Sequence, residues 1–483
     1  MLTLGFVIET LRSPSEKSAN GSRPGPLAGP EIHGGVVDSR QATPGSLFVA
    51  RPGSTSDGHA FVADAFQRGA VAALVEKDVP GSEWPVIDVR TPAPQGRSDE
   101  IPTPVIIRAE DSLTALQHVA ARWRDRLNLR VIGVTGSVGK TTTKELTAEV
   151  LERRFPTFRN PGNQNTEVGL PLSMLKLEER HQRAVLEMGF YAPGEIAELC
   201  RIARPQVGVI TNVSQVHLER AGSLEAIIAG KAELVESLPP APEGVAILND
   251  DEPHVRAMAG RTAARVITYG LSEQADLWAS EVEGLGLDGV RFVMHYEGEL
   301  IHLRVPLLGR HSVHTALRAA AVGLAEGLTW QEIAGGLQNP QAQLRLVAAW
   351  GPQGALLLDD TYNAAPESVI AALNLLSELE GHKIAVLGDM LELGEFEERG
   401  HRLVGARAAE VADELVTLGD RGRWIADEAI RAGMAGDSVT MLTDSQAAVE
   451  HLRGRIRAED VVLVKGSRGM HMDQIVSALE RSP

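Results

Sequence analysis

The stretch Arg130-Val131-Ile132-Gly133-Val134-Thr135-Gly136-Ser137-Val138-Gly139-Lys140-Thr141-Thr142 decides the fold class of this chain. An apolar run ends in glycines, and a helical pattern over 140–155 starts directly after them. That order predicts a strand, a tight turn and a helix whose N-terminus faces the turn. Gly136 and Gly139 let successive N–H groups, including that of Ser137, point into one concavity, and the helix N-terminus adds its positive end. Lys140 has the reach to meet β- and γ-phosphates, and the hydroxyl of Thr141, next to Thr142, suits a Mg2+ ion. Val134 occupies the slot where the strict phosphate-loop pattern places its first glycine, and Gly133 lies one residue early. The strand, loop and helix context still favours nucleotide phosphate binding over an incidental glycine turn. No Asn-Lys-x-Asp follows to read guanine, and no internal repeat suggests a motor.

Working outward, short aliphatic runs at 184–187, 207–212 and 244–249 alternate with helical patterns, which predicts a mostly parallel sheet covered on both faces. Residues 277–305 alternate differently around Leu287-Asp288-Gly289 and Glu297-Gly298, the pattern of antiparallel ribbons appended to that sheet. Further runs at 355–359, 383–387, 414–418, 439–442 and 460–464 predict a separate doubly wound unit. Before the loop, 46–50 and 70–75 read as strands around a helix at 60–68, with Pro/Gly/Ser-rich loops at 13–30 and 91–104. The expectation is an α/β chain of three domains: a small N-terminal α/β domain over 1–107, a central phosphate-loop domain over 108–341 and a C-terminal Rossmann-like domain over 342–483.

Composition agrees. A chain of 483 residues has room for roughly three domains at about 150 residues each. Aromatics make up only 4%, so the cores should be aliphatic. Asp and Glu number 64 against 47 Lys and Arg, a formal charge of −17 that disfavours nucleic acid or an anionic membrane as a bulk partner. The single cysteine, Cys200, excludes an intramolecular disulfide and a thiolate-built zinc site. No apolar run approaches the roughly 18 residues of a membrane span, and Met1 to Thr10 lacks the basic start of a secretory signal. A cytoplasmic protein, acting as a monomer, is expected.

More blocks follow the loop in order: Gly162-Asn163-Gln164-Asn165-Thr166-Glu167, Leu186-Glu187-Met188-Gly189, Asn212-Val213-Ser214-Gln215-Val216-His217 and Gly230-Lys231-Ala232-Glu233. Later come Asp359-Asp360-Thr361-Tyr362-Asn363-Ala364-Ala365-Pro366, Gly388-Asp389-Met390-Leu391-Glu392-Leu393-Gly394 and Lys465-Gly466-Ser467-Arg468. Ahead of the loop stand Asp38-Ser39-Arg40 and Asp57-Gly58-His59. Together these closely resemble the Mur ligases of peptidoglycan synthesis, over nearly the whole chain except roughly the first 30 residues and the 91–104 loop.

The resemblance implies an N-terminal domain for the UDP end of a precursor, a central ATPase domain and a closing C-terminal domain. It implies that ATP phosphorylates a peptide carboxylate and that an amine then attacks the acyl phosphate. The Lys144-Glu145 pair and the Asp359 and Gly388 blocks look like the member that adds D-alanyl-D-alanine to UDP-N-acetylmuramoyl-tripeptide; the alternative is the member that adds the third stem-peptide residue. Lys140, Glu187, His217, Lys231 and Arg345 take the catalytic roles in this picture. Thr141 and Glu187 would ligate one Mg2+, with His217 near a second. Lys231 is expected to be carbamylated, which turns a cation into an anionic oxygen ligand; on its own, a lysine in a helical stretch over 223–236 reads as a solvated face. Asp360, Tyr362 and Asn363 would meet ATP. Ser39 and Arg40, then Asn163, Asn165 and Glu167, and finally Lys465, Ser467 and Arg468 would line the substrates.

Ser312 and Thr315 stand where the family commonly has asparagines, one of them an adenine contact, so adenine recognition must differ here. Thr166 and Ala365 also replace asparagines, and Gly230 replaces an alanine. A non-catalytic nucleotide-binding regulator is the rival of another class, and it would not need Glu187, His217 and Lys231 together.

Overall fold

Strands buried on both faces carry this fold, and aliphatic side chains alternate across them. The structure is a computed structural model that describes residues 1–12, 29–53, 56–79, 81–91, 101–215, 218–339 and 347–480. His217, Arg345 and most of the two Pro/Gly/Ser-rich stretches therefore lie outside the described residues. The class is α/β, as the sequence predicts, with its strands in three sheets. By packing, the chain divides into two compact units: Met1–Gly133 with Phe155–Gly189 and Glu195–Gln206, and Val134–Arg154 with Phe190–Gly194 and Val207–Pro483.

In the first unit, β1 (Gly34–Val36), β2 (Ser46–Val49), β3 (Ala72–Val75), β4 (Val86–Asp88) and β5 (Val105–Arg108) form a parallel sheet in the order β1-β2-β3-β5-β4. β2 and β3 are wholly buried, which is why their sequence runs are continuously apolar. The expected helix at 60–68 begins as a 3-10 turn, Gly58–Phe61, and becomes α-helical only over Val62–Gln67. Residues Leu4–Arg12 form a helix whose Phe6 packs edge-on against Trp123, ring centroids 5.6 Å apart. β6 (Arg130–Thr135) leads to the phosphate loop, and β7 (Thr157–Arg159) pairs in parallel with β8 (Arg183–Glu187).

The second unit carries β9 (Val207–Ile210), β10 (Val245–Asn249), β11 (Arg265–Gly270) and β12 (Leu277–Gly284) in parallel succession. β13 (Val290–Tyr296) and β14 (Glu299–Val305) extend them as the antiparallel ribbon that the sequence predicts. Glu297 (φ 48°) and Gly298 (φ 86°) close the last hairpin, since both central residues of its two-residue turn need positive φ.

β15 (Val347–Trp350), β16 (Leu356–Asp360), β17 (His382–Gly388), β18 (Glu414–Leu418), β19 (Val439–Leu442) and β20 (Asp460–Lys465) form a sheet in the order β15-β16-β20-β17-β18-β19. Only β15 runs antiparallel. Alternate residues of β20 enter two cores: Val461 and Leu463 join one, Val462 and Val464 the other. Helices on both faces cover that doubly wound arrangement. No described helix is long and apolar enough to cross a membrane.

Candidate active site

The phosphate loop forms where the sequence puts it. Gly136 (φ 143°) and Gly139 (φ 82°) take backbone shapes that side-chain-bearing residues rarely adopt, and a Cβ on Gly136 would fall 1.8 Å from Thr211 Oγ1. Gly139 caps the helix Lys140–Leu151. That helix stops short of 155 because Pro156 disfavours a helical Phe155.

The strand expected over 207–212 ends at Ile210, and the residues beyond it hold the loop. Thr211 Oγ1 donates to the Val138 carbonyl at 2.7 Å, and the Asn212 amide both accepts from Val138 N–H at 2.9 Å and donates to its carbonyl at 3.1 Å. Ser137 N–H donates to the Asn212 carbonyl at 3.0 Å, and its hydroxyl accepts from Ser214 N–H at 2.9 Å. The Lys140 ammonium folds back to donate to the carbonyls of Gly136 (2.8 Å) and Ser137 (3.1 Å). Sequence reading overlooked Thr211 as a brace; its only signal was a hydroxyl at a strand end.

Lys231 departs from the solvated face that its helical stretch alone would suggest. Its helix, Leu224–Glu236, starts where expected, with the Ser223 hydroxyl accepting from Ala226 N–H at 3.1 Å. The lysine does not lie on a solvated face: only 1% of it is exposed, and its ammonium sits 4.9 Å from the Phe190 ring centroid. Burial first, and the Lys140 cation second, push it well below the ordinary lysine range. Beside it, a methyl on Gly230 would lie 2.0 Å from Phe190 Cε2, so this ring occupies the space that an alanine would need.

In the first unit, Glu187 ends β8 fully buried. The Asn165 amide donates to its Oε1 at 2.8 Å, and Glu187 N–H donates to Asn160 Oδ1 at 2.9 Å. Asn160, which sequence reading missed, also donates to the Gln164 carbonyl at 2.7 Å and so fixes the loop that carries Asn165. Asn163 and Glu167 are exposed on that loop. Arg40 is exposed and paired with Asp38 at 2.7 Å, whereas Ser39 is buried against Asp64.

In the second unit, a cavity of about 380 Å³ is lined by Ser137, Gly139 and Thr142 of the loop region and by Asp360, Asn363 and Lys465. The Lys465 ammonium lies 2.6 Å from Asp360 Oδ2 and donates to the Asn363 carbonyl at 2.9 Å. These residues, assigned to two different ligands in the sequence, thus share one wall. The Arg468 guanidinium stands 5.9 Å from the Tyr362 ring. Ser467 is buried, accepting from Leu391 N–H at 2.9 Å and donating to the Ala364 carbonyl at 3.4 Å, which makes it a brace between loops.

Ser312 and Thr315 also line the cavity on the helix Ser312–Ala325. The Ser312 hydroxyl donates to the Leu308 carbonyl at 2.6 Å, and Thr315 Oγ1 accepts from Arg318 Nη2 at 2.8 Å. Among the described residues no group of three or more His, Cys, Asp or Glu could by itself hold a metal ion. Glu187 in the first unit and Thr141 in the second are each an oxygen donor of the kind Mg2+ takes, an ion that needs only one or two protein ligands.

A loop braced at its carbonyls, a helix N-terminus and a cavity walled by paired charges define an α/β protein built to bind a phosphorylated ligand. The chain belongs to the Mur ligase family. Family models match at 31–124 (Mur ligase family, catalytic domain), 134–323 (Mur ligase middle domain) and 345–468 (Mur ligase, glutamate ligase domain). The UDP-N-acetylmuramoyl-tripeptide–D-alanyl-D-alanine ligase of Bacillus subtilis is 35% identical over 468 residues, 95% of this chain and 96% of that one. The ligase of the same name from Escherichia coli is 33% identical, covering 92% and 93%. The crystal structure of MurF from Acinetobacter baumannii superposes with a TM-score of 0.82 at 29% identity, covering 99% and 98%. MurF ligase from Thermotoga maritima in complex with ADP gives 0.74 at 27%, covering 92% and 97%.

Proposed function

We propose that this chain is an ATP-dependent amide ligase that joins D-alanyl-D-alanine to UDP-N-acetylmuramoyl-tripeptide in peptidoglycan precursor synthesis. The observation that carries this reading is end-to-end likeness to ligases of that name, 35% identical over 95% of the chain in one case, in a chain whose phosphate loop is intact. ATP binds along the loop, and its γ-phosphoryl group passes to the terminal carboxylate of the tripeptide. The dipeptide amine attacks the acyl phosphate, the amide forms, and ADP and phosphate leave.

Two anions must meet in the first step, so these residues act mainly by neutralising and positioning charge. Lys140 releases the loop carbonyls to hold the β/γ-phosphates. Mg2+ would supply charge neutralisation at those phosphates; Thr141 and Glu187 would hold one ion, and His217 and Lys231 would lie near a second. Carbamylation of Lys231 fits this role, because burial favours the uncharged amine, the form that reacts with CO2. Gly136, Ser137, Gly139 and Thr142 complete the phosphate cradle, and Asp360, Tyr362 and Asn363 meet the nucleotide. Arg345 steadies the transferring phosphoryl group. Ser39 and Arg40 serve the UDP end, Asn163, Asn165 and Glu167 the peptide, and Lys465, Ser467 and Arg468 the amino substrate. Segments 1–107, 108–341 and 342–483 divide these tasks, in a cytoplasmic monomer.

Phosphate release from ATP with Mg2+ and UDP-N-acetylmuramoyl-tripeptide tests the reading. Release that requires D-alanyl-D-alanine, with a product heavier by the dipeptide minus water, supports it. Release driven by a single amino acid together with a shorter precursor points to the ligase of the third residue. No release with either pair overturns both.

A further inference from the structure

Arg318 is a charged residue inside the apolar run Ala316-Leu317-Arg318-Ala319-Ala320-Ala321-Val322, and no role has been assigned to it above. Helical spacing puts it on the same face as Thr315 and His314, and that face lines the cavity. Only 4% of it is exposed. Nη2 donates to Thr315 Oγ1, and Nε is buried with no hydrogen-bond partner among the described residues. No described carboxylate forms a salt bridge with it; its neighbours are the Tyr269 ring, 5.9 Å from the guanidinium carbon, and the phosphate loop. Its two terminal nitrogens lie 3.5 and 3.7 Å from where a Cβ on Gly139 would stand, so the fork faces the residue that caps the phosphate helix.

A buried cation without an anion is costly, and burial lowers the affinity of this guanidinium for its proton. The other described cation on this cavity wall is Lys465, and Asp360 neutralises it. Thr315 and Tyr269 hold the Arg318 side chain in one orientation, and neither offers a charge. Tyr269 is itself pinned, its hydroxyl donating to the carbonyls of Ile210 and Thr211, each at 3.2 Å. The arrangement is a pre-set fork that awaits an acceptor from the ligand, and a phosphate oxygen is the acceptor that would also neutralise it.

We infer that Arg318 is a nucleotide-binding residue that donates to a phosphate oxygen of the nucleotide on the Gly139 side of the loop, with Thr315 as its positioning residue. This rests on the reading of the cavity as a nucleotide site. Thr315 then has a use, since its hydroxyl oxygen accepts from the fork and holds it.

The test is titration calorimetry of the full chain with ADP and with adenosine, alongside thermal unfolding without ligand, for wild type, Arg318→Met and Arg318→Lys. Loss of a charge-assisted bond should weaken ADP about tenfold to hundredfold in Arg318→Met, with adenosine unchanged. Arg318→Lys, which keeps charge but not the fork, should fall between them. The unliganded Arg318→Met protein should melt no lower than wild type, because an uncompensated buried cation has gone; a purely structural arginine would lower the midpoint. Equal ADP affinity in wild type and Arg318→Met overturns the inference while leaving the nucleotide site standing. Equal weakening of ADP and adenosine also overturns it, since that marks a contact to the base. Failure of wild type to bind ADP removes the nucleotide reading itself. If Arg318→Met does not fold, the Arg318→Lys comparison decides alone, by the same loss of ADP against adenosine.

Discussion

The Lys465 ammonium and the Asp360 carboxylate, 105 residues apart in the chain, meet at 2.6 Å at the ends of adjacent parallel strands. Lys465 is almost completely buried, and Asp360 keeps a small exposed edge. Their register, Asp360 opposite Lys465, brings the pair to the C-terminal edge of the sheet, where ligands of doubly wound folds bind.

Asp360→Ala should therefore destabilise the protein by about 3–5 kcal/mol in urea unfolding, since it strands a buried charge. Adding Lys465→Met should recover most of that stability and none of the ligase activity. If the double variant is as unstable as Asp360→Ala, the pair is not a unit.

Lys140→Ala should cut ATP turnover by about 100- to 1,000-fold, the usual cost of removing one preorganised donor at a reacting oxyanion. Unfolding should change little, because the loop carbonyls that the ammonium serves can be served by water. Turnover near that of wild type would undo its assignment.

Lys231→Ala should cost more than the roughly 10- to 100-fold typical of residues behind a metal ligand, and added bicarbonate should not rescue it. With 13C-bicarbonate, wild type should show a carbamate carbon resonance that Lys231→Ala lacks. Wild type without that resonance, yet fully active, would leave Lys231 a plain buried amine.

His311 sets a pH dependence. Desolvation where its ring meets the cavity wall, with His314, Arg318 and Lys465 behind it, lowers its pKa from 6.5 to about 4. The unfolded chain binds the proton more tightly, so this contribution is complete above pH 6.5 and is lost as pH falls towards 4. Between pH 7.5 and pH 5 wild type should lose more stability than His311→Gln, by less than the roughly 2 kcal/mol of a fully buried ring because His311 reaches solvent, as read by urea unfolding at the two values. Parallel losses in the two proteins would refute the shift.

The phosphate loop was readable because everything that shapes it is local: two glycines at fixed spacing, a lysine, and a helix start. The antiparallel ribbon was readable for the same reason, from Glu297-Gly298. Short edge strands such as Val86–Asp88 and Val347–Trp350 were not, since they are half-exposed and owe their conformation to a neighbouring strand. Lys231 looked solvated because sequence periodicity around it is weak and its burial comes from Phe190, 41 positions away. Arg318 did carry a signal, a lone charge in an alanine-rich helix, but its orientation depends on Tyr269 from another element. Asn160 offered no signal at all; its partners include the main chain of Gln164 and Glu187.

The fit of Phe190 against Gly230 makes two positions one unit of heritable change. A methyl at 230 would come 2.0 Å from the ring at 190 as it now stands, so one of the two has to give way. A scan that varies one residue at a time would read at 230 the cost of turning the ring aside. Paired variants with a smaller side chain at 190 would read the methyl without that cost, so the two positions are best varied together.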